Sequence, residues 1–304
     1  KRKRGCRYWL RLLSVALVGA VVMLYAGYMI LWLLGMTSSA RRSIGEVRPA
    51  DLGLDYQDVT FTSDDGVTLA GWYIPSQNEA AVILLHGYGA HRVEMLKRAE
   101  ILVSHGYGAL LYDERASGES EGEMRSYGWA DVQDVASALT VLQAREDVDP
   151  ARIGILGFSQ GGQIALRAAA QMPQLKAVVA EEPGLAAADD IFPAASLKDR
   201  WVTFNYWLGF KLLAWRTGLQ APAGVVEGMA DIAPRPVLLI ATAPPDDPGY
   251  RLVRHYYEHA GEPSAFWSVP EASHGQVPAI RPEEYEIRIV TFFDEALSTE
   301  NRSN

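Results

Sequence analysis

Between Gln57 and Leu297, short and nearly continuous apolar runs alternate with helical patterns, and no other feature of the chain constrains its fold as much. Two strand-like runs, QDVTFTS and VTLAGWYIP, come first, separated by Asp64-Asp65-Gly66, a hairpin turn signal. The runs AVILLHGY, GALLYDE, RIGILGF, KAVVAEE, PVLLIAT and SAFWSVP follow, making eight. Between and after them lie helical patterns at residues 92–104, in WADVQDVASALTVLQARED, after Ser159, in YRLVRHYYEHAG and from Pro282 to about Leu297. Runs of this kind suit strands buried on both faces, so the expectation is an α/β fold with a mostly parallel eight-stranded sheet between two layers of helices. The opening hairpin should supply the antiparallel strands at one edge. One region breaks the rhythm. Residues 185–235 form a long excursion without a strand, carrying Trp201, Phe204, Tyr206, Trp207, Phe210 and Trp215, and a helical cap is expected there.

The first forty residues are of a different kind. KRKRGCRYWLR precedes an uncharged, mostly apolar run from Leu12 to Leu34, with Tyr8, Trp9 and Trp32 near its ends. At ~1.5 Å per residue such a helix spans the hydrocarbon core of a bilayer. Six basic residues precede the run and three (Arg41, Arg42, Arg48) follow it, which places the N-terminus in the cytoplasm and the rest of the chain on the other side. A cleaved signal peptide is the competing reading, because Ser38-Ser39-Ala40 has the small residues of a cleavage site. The run is longer than ordinary signal h-regions, so an uncleaved anchor over residues 1–42 is expected, with a linker at 43–55 and the α/β domain at 56–298.

Past Arg48 the chain carries 19 basic and 36 acidic residues, a net charge of −17, which excludes nucleic acid as a natural partner. The single cysteine, Cys6, excludes an internal disulfide and a paired-cysteine metal site.

Gly157-Phe158-Ser159-Gln160-Gly161 fits G-x-S-x-G, between a strand and a helix. There the serine hydroxyl would stand at the carboxyl end of the sheet and at a helix N-terminus, where free amides stabilise a developing oxyanion. A serine needs a base, and His274 in VPEASHGQ lies just after the last strand, ahead of the final helix. His91, His105, His255 and His259 sit on or beside helical patterns and suit the task less well. The base in turn needs an acid to hold its tautomer. Asp246, in the loop after PVLLIAT, is the first choice, Asp247 the alternative, and Glu181 and Glu182 at the end of the preceding strand the fallback.

Taken together, Ser159, an acid and His274 in that order, HGYGAH after the third strand, and YDERASGESEGE with its D-x-R-x-x-G-x-S pattern resemble the α/β-hydrolase superfamily from about Tyr56 to Leu297. DGVTLAGWYIP is similar to the opening of its membrane-anchored esterase and serine-aminopeptidase-like members. The loop ATAPPDD departs from their pattern, in which a glycine commonly stands two residues before a lone aspartate.

The resemblance implies that the backbone amides of Tyr88 and Gln160 form the oxyanion hole. It implies acyl transfer through Ser159, with no metal or organic cofactor. An aromatic cap and an anchor point to small-molecule or lipid-like acyl esters, hence a carboxylesterase or lipase-like enzyme. Peptidase, amidase or thioesterase action uses the same residues, and an inactive binding protein on this fold is the rival from another class. The oligomeric state is left open.

Overall fold

The structure, a computed structural model, describes residues 2–191 and 196–298. Lys1, residues 192–195 of the excursion and 299–304 lie outside the described residues, as do the side chains of the N-terminal basic cluster and of Cys6.

The eight expected strands all form and join one sheet. They are β1 (Gln57–Thr62), β2 (Thr68–Ile74), β3 (Ala81–Leu85), β4 (Gly108–Tyr112), β5 (Ile153–Phe158), β6 (Leu175–Glu181), β7 (Val237–Thr242) and β8 (Ser264–Val269). Their spatial order is β1-β2-β4-β3-β5-β6-β7-β8. β2 is antiparallel to both its neighbours, and every pairing from β4 to β8 is parallel. The reversed strand therefore belongs to the hairpin at the sheet edge.

A strand's two-residue period explains the two cores. In β3, Ala81, Ile83 and Leu85 face one layer while Val82 and Leu84 face the other. The first layer contains α3 (Asp131–Gln143), α4 (Gln160–Gln171) and α6 (Pro248–His259), through residues such as Val135, Ile164 and Tyr256. The second contains α2 (Leu96–Ser104) and α7 (Pro282–Leu297), through Leu102, Ile289 and Phe293. Close approach is tight in places. A Cβ on Gly154 in β5 would lie 2.6 Å from the Phe293 ring.

Two helices lie outside this sandwich. α1 (Arg2–Thr37) includes a stretch, Tyr8–Thr37, long and apolar enough to cross a membrane, with a mean hydropathy of 2.2. α5 (Leu197–Thr217) lies within the excursion, begins with a Ser196–Asp199 capping box and ends at Gly218 in the left-handed conformation. Phe210 and Leu213 of α5 pack with Leu33 of α1 and with Trp129. After α1 the chain is held to the domain by a two-residue parallel pairing, Ala40-Arg41 with Ser117-Gly118.

Candidate active site

The elbow is built by backbone crowding. Ser159, between β5 and α4, has φ 55° and ψ −114°, a conformation a side chain tolerates only where the surroundings over-determine it. Both flanking glycines are sterically required: a Cβ on Gly157 would lie 2.1 Å from the Gly161 carbonyl oxygen, and one on Gly161 2.4 Å from that of Leu85. The turn thus lifts a half-buried serine above the carboxyl end of the sheet.

His274 reaches it from the loop after β8. Its Nε2 lies 3.0 Å from Ser159 Oγ, and its ring packs 4.8 Å, centroid to centroid, from Phe158. Nδ1 lies 2.6 Å from Glu182 Oε2. Glu182 follows β6 with φ 49°, and its carboxylate also accepts hydrogen bonds from the Gly275 amide (2.8 Å) and Thr242 Oγ1 (2.5 Å). The hydrogen bond to this carboxylate raises the His274 pKa above the usual imidazole value, against the opposing effect of burial. A carboxylate that fixes Nδ1 and leaves Nε2 facing a serine is an arrangement able to accept the hydroxyl proton.

The acid first expected at Asp246, or alternatively at Asp247, is not the one that meets His274. Asp247 is the N-cap of α6, its carboxylate accepting from the Gly249 amide at 2.7 Å, with Pro248 in the first turn. Asp246 is exposed on the preceding turn. Of the fallback pair, Glu181 points to the opposite side of the sheet. There, buried, it pairs with Arg98 (Nε 2.9 Å) and accepts from the Tyr285 hydroxyl. Only Glu182 is turned toward the imidazole.

Tyr88 lies in the loop after β3, and Gln160 directly follows the serine and opens α4. Among the described residues neither backbone amide donates to a protein acceptor. The loop carrying Tyr88 is held at several points. Glu94 accepts from the Gly87 amide at 2.7 Å, and the buried His86 ring bridges the Gly87 carbonyl (2.8 Å) and the Glu114 amide (2.9 Å). Burial lowers the His86 pKa, as suits a neutral ring that donates from one nitrogen and accepts at the other. Gln160 is fixed by its side-chain amide, which donates to Glu114 Oε2 at 2.7 Å. Burial, with Asp131 adding to it, pushes the Glu114 carboxyl well above the ordinary range and favours its neutral form. The D-x-R-x-x-G-x-S segment is braced by its own contacts. Asp113 accepts from the Arg92 amide and guanidinium, Gly118 leaves room for the Asp113 carboxylate, and Arg115 grips Asp134 in a fork of 2.8 and 2.6 Å.

Among protein-family models, "X-Pro dipeptidyl-peptidase (S15 family)" matches residues 58–280. The chain belongs to this family of α/β-hydrolases. An uncharacterized Mycobacterium tuberculosis protein is 30% identical over 224 residues, 72% of each chain. A thiohydrolase of Aspergillus aculeatus is 31% identical over 132 residues, 42% of each chain. Among solved structures, a Pyrococcus furiosus esterase superposes with a TM-score of 0.70 at 25% identity, covering 86% of this chain and 99% of its own. A dienelactone hydrolase from Anabaena variabilis (TM-score 0.60, 19% identity, 80% and 99% coverage) shares the fold. The protein is therefore a hydrolase of the α/β-hydrolase serine type, in the superfamily that its motifs resemble.

In this hydrolase, sequence reasoning missed the part played by His86 and Glu114 in holding the Tyr88 loop and Gln160. Their only signal was adjacency to motifs, His86 opening HGYGAH and Glu114 within YDERASGESEGE.

Proposed function

We propose that the protein is a carboxylesterase or lipase-like enzyme that hydrolyses hydrophobic acyl esters through an acyl-enzyme on Ser159. His274 Nε2 takes the hydroxyl proton as Oγ attacks the ester carbonyl carbon. The amides of Tyr88 and Gln160 hold the resulting oxyanion, and Glu182 stabilises the imidazolium. The imidazolium then protonates the departing alkoxide. In the second half His274 deprotonates a water, which attacks the acyl carbon and releases the carboxylic acid and free Ser159.

The observation that carries this reading is the Glu182–His274–Ser159 relay, 2.6 and 3.0 Å, standing on a strained elbow. A scaffold protein has no physical use for that strain. The esterase among similar structures supports an ester substrate, and the thiohydrolase leaves thioesters close at hand.

We read α1 as a retained anchor, with the hydrolase domain on the extracytoplasmic side. Cleavage after Ala40 would discard the Gly35 and Ser38 carbonyls, to which Arg125 donates, and the Gly35 carbonyl that accepts from the Tyr88 hydroxyl at 3.0 Å. These bonds support retention, because the one from the Tyr88 hydroxyl steadies the loop of a proposed oxyanion donor.

The family description favours one other reading, a peptidase. Hydrolysis of p-nitrophenyl esters, an acyl thioester and an X-Pro p-nitroanilide by the full chain in detergent, beside Ser159→Ala, separates the two. Ester turnover that vanishes in the variant is expected. Anilide cleavage without ester turnover would replace the esterase reading by the peptidase one.

A further inference from the structure

α1 has one face that differs from the rest. Tyr25, Met29, Leu33 and Thr37, at helical spacing, are buried or half-buried, while Leu24 and Leu31 on other faces are 75% and 72% exposed. The covered face meets α5. The Trp32 indole occupies the room that Gly209 leaves, since a Cβ there would lie 2.7 Å from the ring. Further along, the Tyr25 hydroxyl donates to Asn205 Oδ1 at 2.8 Å, and its ring lies 5.6 Å from that of Trp201.

Between the two helices is a groove of about 510 Å³, walled by Tyr25, Tyr28, Met29 and Trp32 from α1 and by Trp201 and Val202 from α5. The volume suits a small-molecule or acyl ligand, for which pockets run to roughly 300–1,000 Å³. Tyr206, also on the groove, begins a run of aromatic contacts leading inward. It stacks at 6.3 Å on Phe210, Phe210 lies 5.8 Å from Tyr127, and Tyr127 lies 6.1 Å from Tyr88. Tyr88 carries one of the amides assigned above to the oxyanion. Aromatic contacts thus run from the groove to the loop that carries the Tyr88 amide.

The level of the groove in a bilayer follows from helix geometry. Sixteen residues separate Trp9 from Tyr25, ~24 Å at 1.5 Å per residue, against a hydrocarbon core of about 30 Å. With Tyr8 and Trp9 at one interface, Tyr25, Tyr28 and Trp201 come near the other, where amphipathic rings settle. Lys198 and Arg200 lie beside Trp201 on α5, cations suited to the headgroup layer.

We propose that the groove between α1 and α5 is the acyl-chain site of this enzyme, loaded sideways from the membrane leaflet that faces the hydrolase domain. The anchor is then a wall of the substrate site as well as a tether. The substrate class is a long-chain acyl ester resident in the bilayer, its chain along Met29 and Val202 and its carbonyl delivered past Phe210 to Ser159. This deepens the esterase reading and rests on it for the identity of the scissile bond.

The test uses the full chain in phosphatidylcholine nanodiscs, with Val202→Trp as the variant that fills the groove. Two readouts are taken: the ratio of kcat/KM for C16 over C4 p-nitrophenyl esters, and photolabelling of Ser159→Ala, with and without Val202→Trp, by a diazirine-bearing palmitic acid. The ratio should exceed one in the wild type and fall at least about tenfold in Val202→Trp, the scale set by blocking an apolar subsite. Labels should map to Tyr28, Met29 and Trp32 and drop in the filled variant, while labels on outward-facing Leu24 and Leu31 persist.

Equal turnover of both esters, with labels indifferent to Val202→Trp, would overturn the groove and leave the esterase reading standing. Groove labelling that responds to Val202→Trp, with no ester turnover at any chain length, would overturn the esterase reading and keep the groove as a lipid site. Labels on the groove that vanish on dilution of the protein within the nanodisc lipid would instead assign it to a contact with a second copy, against the proposal.

Discussion

Replacing Glu182 by Gln preserves volume and changes one donor–acceptor relation, so its effect can be worked out from the bonds present. The carboxylate accepts from His274 Nδ1, the Gly275 amide and Thr242 Oγ1. A glutamine has one acceptor oxygen, and the Gly275 N–H, a fixed donor, claims it. The amide –NH₂ then faces Nδ1, which must become an acceptor, and the ring proton moves to Nε2. Nε2 would point that proton at Ser159 Oγ and could no longer take one. The opposite amide flip sets two N–H donors against each other at Gly275. Loss of the correct tautomer in a triad lowers kcat by roughly 10³–10⁴-fold. At about 1.36 kcal/mol per decade this is ~4–5.5 kcal/mol of transition-state stabilisation. The assay is kcat for p-nitrophenyl butyrate by the full chain in detergent, with Asp246→Asn and Asp247→Asn alongside. Glu182→Gln should fall by that factor. Asp246→Asn should stay within about twofold, as expected of an exposed carboxylate outside the relay. Asp247→Asn should also keep its kcat, and Asn caps a helix about as well as Asp. A Glu182→Gln enzyme within tenfold of wild type, or an Asp246→Asn enzyme down a thousandfold, would refute the reasoning.

Three further outcomes follow from the same contacts. The base acts only when neutral, and the bond to Glu182 raises the His274 pKa. The acid limb of kcat/KM should therefore have its midpoint above the usual imidazole value, and residual activity in Glu182→Gln should show it moved down; a pH–rate profile at constant ionic strength reads both. Arg98→Met strips the cation from a Glu181 carboxylate that is 1% exposed, and urea unfolding should show a loss of about 3–5 kcal/mol, a loss under 1 contradicting the pairing. Gly161→Ala forces a methyl against the Leu85 carbonyl oxygen and should cost about 3 kcal/mol or more in the same assay, with the elbow distorted enough to abolish turnover.

Much of this fold is legible in the sequence because its strands are short aliphatic runs with turn signals at both ends. Ile83, Leu84 and Leu85 in β3, or Ile155 and Leu156 in β5, have no polar face to show and so declare themselves as strands of a doubly covered sheet. Ser159 and His274 are equally readable, one from the glycines its turn demands and the other from its place after the last strand. Glu182 is not. Glu181 and Glu182 are neighbours at a strand end, and nothing local says which faces the imidazole, since that choice is made by Arg98 and Tyr285 on one side and Thr242 and Gly275 on the other. The positive φ of Glu182, which turns it over the sheet edge, leaves no mark in a residue that is not glycine. Asp247 was legible for what it is: an aspartate followed by Pro248 at the start of an amphipathic pattern is a helix N-cap. The seating of α1 against α5 depends on Trp32 meeting Gly209, a long-range match between a large and an absent side chain that no periodicity reveals.

The central claim is an activated nucleophile at Ser159, and covalent labelling tests it most directly. The protein in detergent is treated with a fluorophosphonate, and the adduct is located by intact mass and peptide mapping. One adduct per chain on the peptide containing Ser159, absent in Ser159→Ala and slowed by orders of magnitude in Glu182→Gln, is the predicted result. A folded protein that takes no label, or takes it on another residue, would contradict the claim.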